Sequence, residues 1–162
     1  MQQQKMRIHG QYIKDLSFEN PNSPFLASNK APDINVMVNI NSVRLEGKEG
    51  GSKEKSFHEI TLHVEIKATI QDTEKIKTAS QTNDSKENIA FVCEIKYCGI
   101  FSMENSQTLD EELKKWLFVD APIFLFPFAR EIIARITSSS GFPPLMLDPI
   151  DFETMYEQQS RQ

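Results

Sequence analysis

Apolar and polar residues alternate along most of the first hundred positions, which is the pattern of β-strands with one covered face and one wet face. The clearest run is 60–70, where every second residue is Ile, Leu, Val or Ala. Segments 6–19, 34–45 and 89–103 alternate in the same way. Because no helical segment separates these four strands, the pattern predicts an antiparallel sheet.

Two of the predicted strands are irregular. In the first, Tyr12, Leu16 and Phe18 share the covered parity, and Lys14 is the exception. In the second, the apolar parity switches after Ile40, which predicts a β-bulge near residues 41–42.

The hydrophobic period changes to a helical one near residue 108. We expect one helix to end before Pro122, a second to begin near Pro127, and Gly141 to stop that helix in a left-handed conformation. Strands followed by helices indicate an α+β fold, a four-stranded antiparallel sheet with C-terminal helices packed on one face. The predicted segments after the sheet are a helix over 108–119, a helix over about 126–137, an extended stretch over 142–150 and a short helix over about 151–159.

The length of 162 residues predicts a single domain, 1–162. Residues 71–88 are polar and nearly featureless, so we expect a long mobile hairpin loop there. Another long connection, 20–33, contains three prolines.

Composition excludes several classes of protein. Eighteen basic residues against 23 acidic ones give a net charge of −5, which disfavours nucleic-acid binding. No apolar run is long enough to span a membrane, and the first residues do not resemble a secretory signal. Two cysteines are too few for a disulfide framework, so we expect a cytoplasmic protein.

The residues suited to chemistry do not form a recognisable active site. His58 and His63 are five positions apart on one strand and therefore face opposite ways, so we expect no metal site. Cys93 and Cys98 would lie roughly 16 Å apart on another strand, too far to form a disulfide. Phosphate-binding and nucleophile motifs are absent as well. We therefore expect no enzyme activity and no cofactor.

Two features remain. The first is a set of apolar residues in segments that do not need them for regular structure, and they form either ordinary core or a groove for apolar segments of other chains. These residues are Phe25, Leu26, Phe124, Phe126, Phe142, Leu145 and Met146.

The second feature is acidic. Asp15 and Glu19 share the polar parity of the first strand, and Glu94 shares that of the fourth strand with Val92. If the two strands are neighbours, three carboxylates surround an apolar side chain. This is either a solvated face or a docking surface for a basic partner.

Three stretches resemble the SecB family of protein-export chaperones. They are YIKDLSFENPNSP at 12–24, AFVCEIKYCGIFSM at 90–103 and APIFLFPFAREIIARITSSSGFPPLMLDPIDF at 121–152. The most specific part is LFPFAR followed by GFPPLMLDPIDF. The chain departs from the family pattern at 71–88, where the loop is longer than usual.

The resemblance implies a fold and a function. It implies a homotetramer built as a dimer of dimers, without enzyme activity or bound nucleotide. Such a chaperone binds unfolded precursor polypeptides in the cytoplasm, keeps them competent for translocation and delivers them to the SecA motor, whose basic, zinc-bearing tail contacts an acidic face of the sheet.

The resemblance also assigns residues. It places SecA docking at Asp15, Glu19, Val92 and Glu94, the client groove at Phe25, Leu26, Phe124 and Phe128, and the oligomer interface at Cys93, Ile95 and Tyr97. Two alternatives stay open. One is a SecB-like chaperone dedicated to a single aggregation-prone partner such as an antitoxin, and the other is a carrier of a small molecule or lipid.

Overall fold

The computed structural model describes residues 6–22, 31–45, 55–70, 89–104 and 110–160. The predicted client residues Phe25 and Leu26 and the predicted loop 71–88 lie outside the described residues.

The four predicted strands form one sheet. They are β1 (Met6–Glu19), β2 (Asp33–Leu45), β3 (Lys55–Thr69) and β4 (Ile89–Glu104). Their order across the sheet is β1-β4-β3-β2, and every neighbouring pair is antiparallel. The prediction of a four-stranded antiparallel sheet is confirmed.

The helical part is more continuous than predicted. Helix α1 (Asp110–Lys115) passes into a π-helical turn (Trp116–Asp120) and then into α2 (Ala121–Ser139), and α3 covers Phe152–Ser160. The predicted break at the two prolines is therefore wrong.

The two prolines are tolerated for different physical reasons. Pro122 directly follows the π-helical turn, where the Ala121 N–H donates to the Trp116 carbonyl five residues back. The regular i→i−4 hydrogen bonds are already interrupted at this point, so a missing N–H costs little. Pro127 lies inside α2 and deprives the carbonyl of Ile123 of its donor. Because Ile123 is half exposed, water can take the place of that donor.

The helices cover one face of the sheet, here called the inner face. The apolar rows of β3 and β4 pack there against the buried side of α2, so the expected α+β arrangement is confirmed. The fully buried side chains in this layer include Ile60, Leu62, Val64, Ile95, Leu125 and Ile133.

The end of α2 follows the predicted pattern. Gly141 has φ +88°, a left-handed conformation that glycine adopts at low cost, and the Phe142 N–H donates to the Thr137 carbonyl. Residues 142–150 then connect α2 to α3 without forming a helix or a strand. The Asp151 carboxylate accepts from the Thr154 N–H at 3.0 Å and so caps α3.

One side chain on β1 faces the opposite way from the prediction. The pairing of β1 with β4 shifts register between Ile13 and Asp15, which leaves Lys14 as an extra residue. Tyr12 is thereby turned to the outer face of the sheet, where its hydroxyl donates to Glu59. That bond is the main cause that raises the pKa of Tyr12 to about 12.

Strand β2 lacks the predicted bulge. Its pairing with β3 runs without a shift from Asp33 opposite Thr69 to Leu45 opposite Phe57. The switch of apolar parity instead means that Val43 and Leu45 lie on the outer face. The sequence alone does not distinguish a bulge from apolar residues that face outward, because both change the parity of the apolar positions in the same way.

Candidate functional site

The four predicted docking residues lie together on the outer face of the sheet. In the pairing of β1 with β4, Glu19 is opposite Val92, Ser17 is opposite Glu94, and Asp15 is opposite Lys96. The polar parity of each strand therefore placed these side chains correctly. We call Asp15, Glu19, Glu65, Val92 and Glu94 the outer acidic surface.

Basic residues reach into this surface. Lys96 Nζ lies 3.1 Å from Glu94 Oε1 and 3.5 Å from Asp15 Oδ2. The hydrogen bond from Lys96, followed by that from His63, lowers the pKa of Glu94 below its usual value. Exposed ion pairs of this kind contribute little stability, so a basic partner can replace Lys96 at small cost.

Two residues at the outer acidic surface were not identified from the sequence pattern. Glu65 on β3 is directly opposite Glu94, and His63 Nε2 lies 2.8 Å from Glu94 Oε1. The polar parity of β3 gave the signal that both face outward. Only the register between β3 and β4 shows that they meet Glu94.

Exposed apolar side chains gather on the helical side of the molecule. Phe124 and Phe128 on α2 are 48% and 49% exposed, and Ile123 beside them is half exposed. The Phe128 ring stacks on Tyr97 with centroids 6.0 Å apart and planes at 14°. Tyr97 is in turn opposite the exposed Ile13 of β1. We call Ile13, Ile123, Phe124 and Phe128 the apolar surface.

Other apolar residues singled out in the sequence belong to the core. Phe126 is buried and packs edge-on against Phe152, with ring centroids 6.0 Å apart. Phe142 packs on Phe91 at 4.9 Å. Their positions near prolines reflect ordinary core packing and not a binding groove.

A cleft lies between α2 and the segment 142–150 that follows it. It has a volume of about 450 Å³, and Met146, 58% exposed, forms part of its wall. Its other lining residues are Pro127, Arg130, Glu131, Ala134, Arg135, Ser138 and Pro144. A lining that mixes apolar and charged side chains suits an apolar segment with polar main-chain atoms.

The residues that the resemblance assigns to the oligomer interface are buried within the chain. Cys93 and Ile95 are fully buried in the core. Tyr97 is also buried, and only its ring contacts the apolar surface. Burial raises the pKa of Cys93 to about 11, which keeps its thiol neutral and unreactive. Any effect of Cys93 or Ile95 on assembly must therefore be transmitted through the core residues packed around them.

Among the helices that the structure describes, none combines the length and the apolar character needed to cross a bilayer.

Comparison with known proteins places this geometry in a family. The family described as preprotein translocase subunit SecB matches residues 1–162. A protein-export protein SecB from Wolbachia sp. subsp. Drosophila simulans (strain wRi) is 68% identical, covering 100% of this chain and 93% of that protein. The SecB of Ehrlichia ruminantium (strain Gardel) is 48% identical, covering 98% of this chain and 90% of that protein.

A solved structure has the same fold. A Mycobacterium tuberculosis SecB-like chaperone, in complex with a peptide from an antitoxin, matches with a TM-score of 0.50 and 13% identity, covering 90% of each chain.

Proposed function

The chain belongs to the SecB family of protein-export chaperones, and from this membership we propose that it binds unfolded precursors in the cytoplasm and delivers them to SecA. The function requires no catalysis. Binding and release of an unfolded chain are enough to keep a precursor competent for translocation. The observation that carries the client-binding role is the apolar surface formed by α2 and Ile13 of β1.

The apolar surface suits clients that share no sequence. Burial of one Leu or Phe side chain of a client contributes about 1.5–3 kcal/mol. Ordering the client chain offsets much of that gain, so one site alone binds weakly. Folded proteins cover their apolar segments and are not bound. The cleft beside Met146 offers a second contact for the same extended client.

We further propose that the chain works as a homotetramer, a dimer of dimers. Several copies of the apolar surface would then contact one long client, and effective concentration would convert weak contacts into useful avidity. The stacking of Phe128 on Tyr97 supports a link between assembly and client binding, because a change at Tyr97 moves the ring that the client meets.

SecA docking belongs, in this proposal, to the outer acidic surface. Its carboxylates suit a basic partner, and Val92 offers an apolar contact among them. The sheet separates this surface from α2. A client on the helical side and SecA on the outer side can therefore be bound at the same time, as transfer of a precursor requires.

The dedicated antitoxin chaperone is not favoured. The relatives at 68% and 48% identity are export proteins by name, whereas the chaperone solved with an antitoxin peptide shares 13% identity and shows only the fold.

Client binding is tested by the double substitution Phe124→Ser and Phe128→Ser. The wild-type chain is expected to delay refolding of a slow-folding precursor, and the double variant to need at least a tenfold higher concentration for the same delay, because two half-exposed rings are lost. The measurement is refolding followed by precursor fluorescence at several chaperone concentrations.

A matched control is Met37→Ser, which removes a 54% exposed apolar side chain from β2, on the outer face. It should leave the delay unchanged. Native mass spectra of both variants show whether assembly is intact. An equal loss of holding in the control and the double variant, with both assemblies intact, contradicts the proposed site.

A further inference from the structure

Three metal-ligating side chains converge on the outer face of the sheet. They are His63 and Glu65, two positions apart on β3, and Glu94 on β4. Each offers one donor atom, and the three atoms lie within 4.8 Å of one another. We propose that they form a binding site for a divalent transition-metal ion such as Zn²⁺.

One of the two distances from His63 is that of a hydrogen bond, and the other is close to the spacing of two ligands on one metal ion. His63 Nε2 lies 2.8 Å from Glu94 Oε1 and 3.3 Å from Glu65 Oε1. A single ring nitrogen carries at most one hydrogen, which it donates along one direction. Ligands at about 2.0–2.2 Å from a tetrahedral zinc ion are roughly 3.3–3.5 Å from each other. Small side-chain rotations bring the three atoms to that spacing.

The strand register supplies a second reason. Glu65 and Glu94 are direct partners across β3 and β4. Like charges directly opposite each other destabilise a sheet. A divalent cation bound to both carboxylates and to the imidazole removes this repulsion and uses all three donors.

The surroundings permit such a site. Lys96 Nζ lies 3.1 Å from Glu94 Oε1 and must move away from that carboxylate before a cation can bind. Asp15 Oδ2, 3.5 Å from the same Nζ, is an alternative partner for Lys96. The side chains of His63, Glu65 and Glu94 are 21%, 39% and 34% exposed, so water can complete the coordination. Both strands are central in the sheet and hold the ligands rigidly.

Metal binding at this site does not depend on the proposed function. Its effect on docking does, because a bound cation beside Asp15 would oppose docking of a basic partner on the outer acidic surface. The spacing of histidines and cysteines alone predicts no metal site. Glu65 shares one face of β3 with His63, whereas Glu94 joins them only through the register of β3 with β4.

The test is titration of the purified, tag-free chain with Zn²⁺, in competition with a chromogenic chelator. We expect the wild type to bind one Zn²⁺ per chain. The variants His63→Gln and Glu65→Gln should each bind Zn²⁺ with an affinity at least tenfold lower. His9→Gln is the matched control, because His9 is a histidine of β1 that contacts Ser102 instead of carboxylates. Its zinc affinity should equal that of the wild type.

Co²⁺ gives a second readout. Bound at this site it should show visible absorption bands that His63→Gln removes, while far-ultraviolet circular dichroism verifies that the variant is folded. If His63→Gln and His9→Gln bind Zn²⁺ with the affinity of the wild type, or if the wild type binds none, the inference is overturned.

Discussion

Glu94→Lys is expected to weaken SecA binding about a hundredfold and to leave client holding unchanged. Placing like charges against each other at an interface costs several kcal/mol, and about 2.7 kcal/mol corresponds to a hundredfold. The effect is large because the substitution removes a carboxylate and adds a cation at the same point. It is confined to the outer face, so the apolar surface on α2 should not change.

The contacts of Glu94 are the reason that we expect a large effect at this position. Its carboxylate holds Lys96 at 3.1 Å and His63 at 2.8 Å. With lysine in its place, Lys96 loses that partner and retains Asp15. The centre of the outer acidic surface then becomes positive, which would repel a basic partner.

Glu131→Lys is the matched control for charge. It makes the same change on α2, in the exposed pair of Glu131 with Arg135, away from the outer face. Affinity for SecA, measured by calorimetry at two salt concentrations, should fall only for Glu94→Lys, and the difference should shrink at high salt. An equal loss in both variants means that net charge, and not this surface, determines SecA binding. A parallel loss of client holding in Glu94→Lys indicates a damaged fold.

Gly99→Ala is expected to destabilise the chain by about 2 kcal/mol, the typical cost of overpacking a filled core. A Cβ atom at Gly99 would lie 2.6 Å from Phe101 Cε2 and 2.8 Å from Leu125 Cδ2. Both neighbours are fully buried, so neither can move aside freely. Since Leu125 belongs to α2 and Gly99 to β4, the substitution weakens the packing of this helix on the sheet.

Gly10→Ala is the control, because no atom of the described residues lies within 4 Å of a Cβ at Gly10 on β1. For a domain of this size, 2 kcal/mol lowers the thermal midpoint by roughly 4–8 °C. Differential scanning calorimetry at equal concentrations should show this shift for Gly99→Ala and almost none for Gly10→Ala. Equal midpoints for the two variants contradict the close packing of α2 on β4.

Face assignment within a strand could be predicted from the sequence because it depends only on a period of two. Asp15, Glu19, Val92 and Glu94 were placed on the outer face in this way, and the structure brings them together. Tyr12 was misplaced because the extra residue at Lys14 shifts the pairing, and β4, the partner that defines this shift, is some eighty residues away in sequence.

Information that depends on a second element could not be predicted. Glu65 joins Glu94 only through the register of β3 with β4. In the helical part, Pro127 predicts a break when α2 is considered alone. The exposed surroundings of Ile123 remove the reason for that break, and this exposure is a property of the folded chain.

A native mass spectrum of the purified chain, alone and mixed with a reduced, unfolded precursor, tests assembly and client binding together. We expect a species of four chains, each of 18.6 kDa, that gains the mass of one precursor. A monomer that does not bind the precursor would contradict it. A stoichiometric small ligand released from the chain, without precursor binding, would favour the carrier alternative instead.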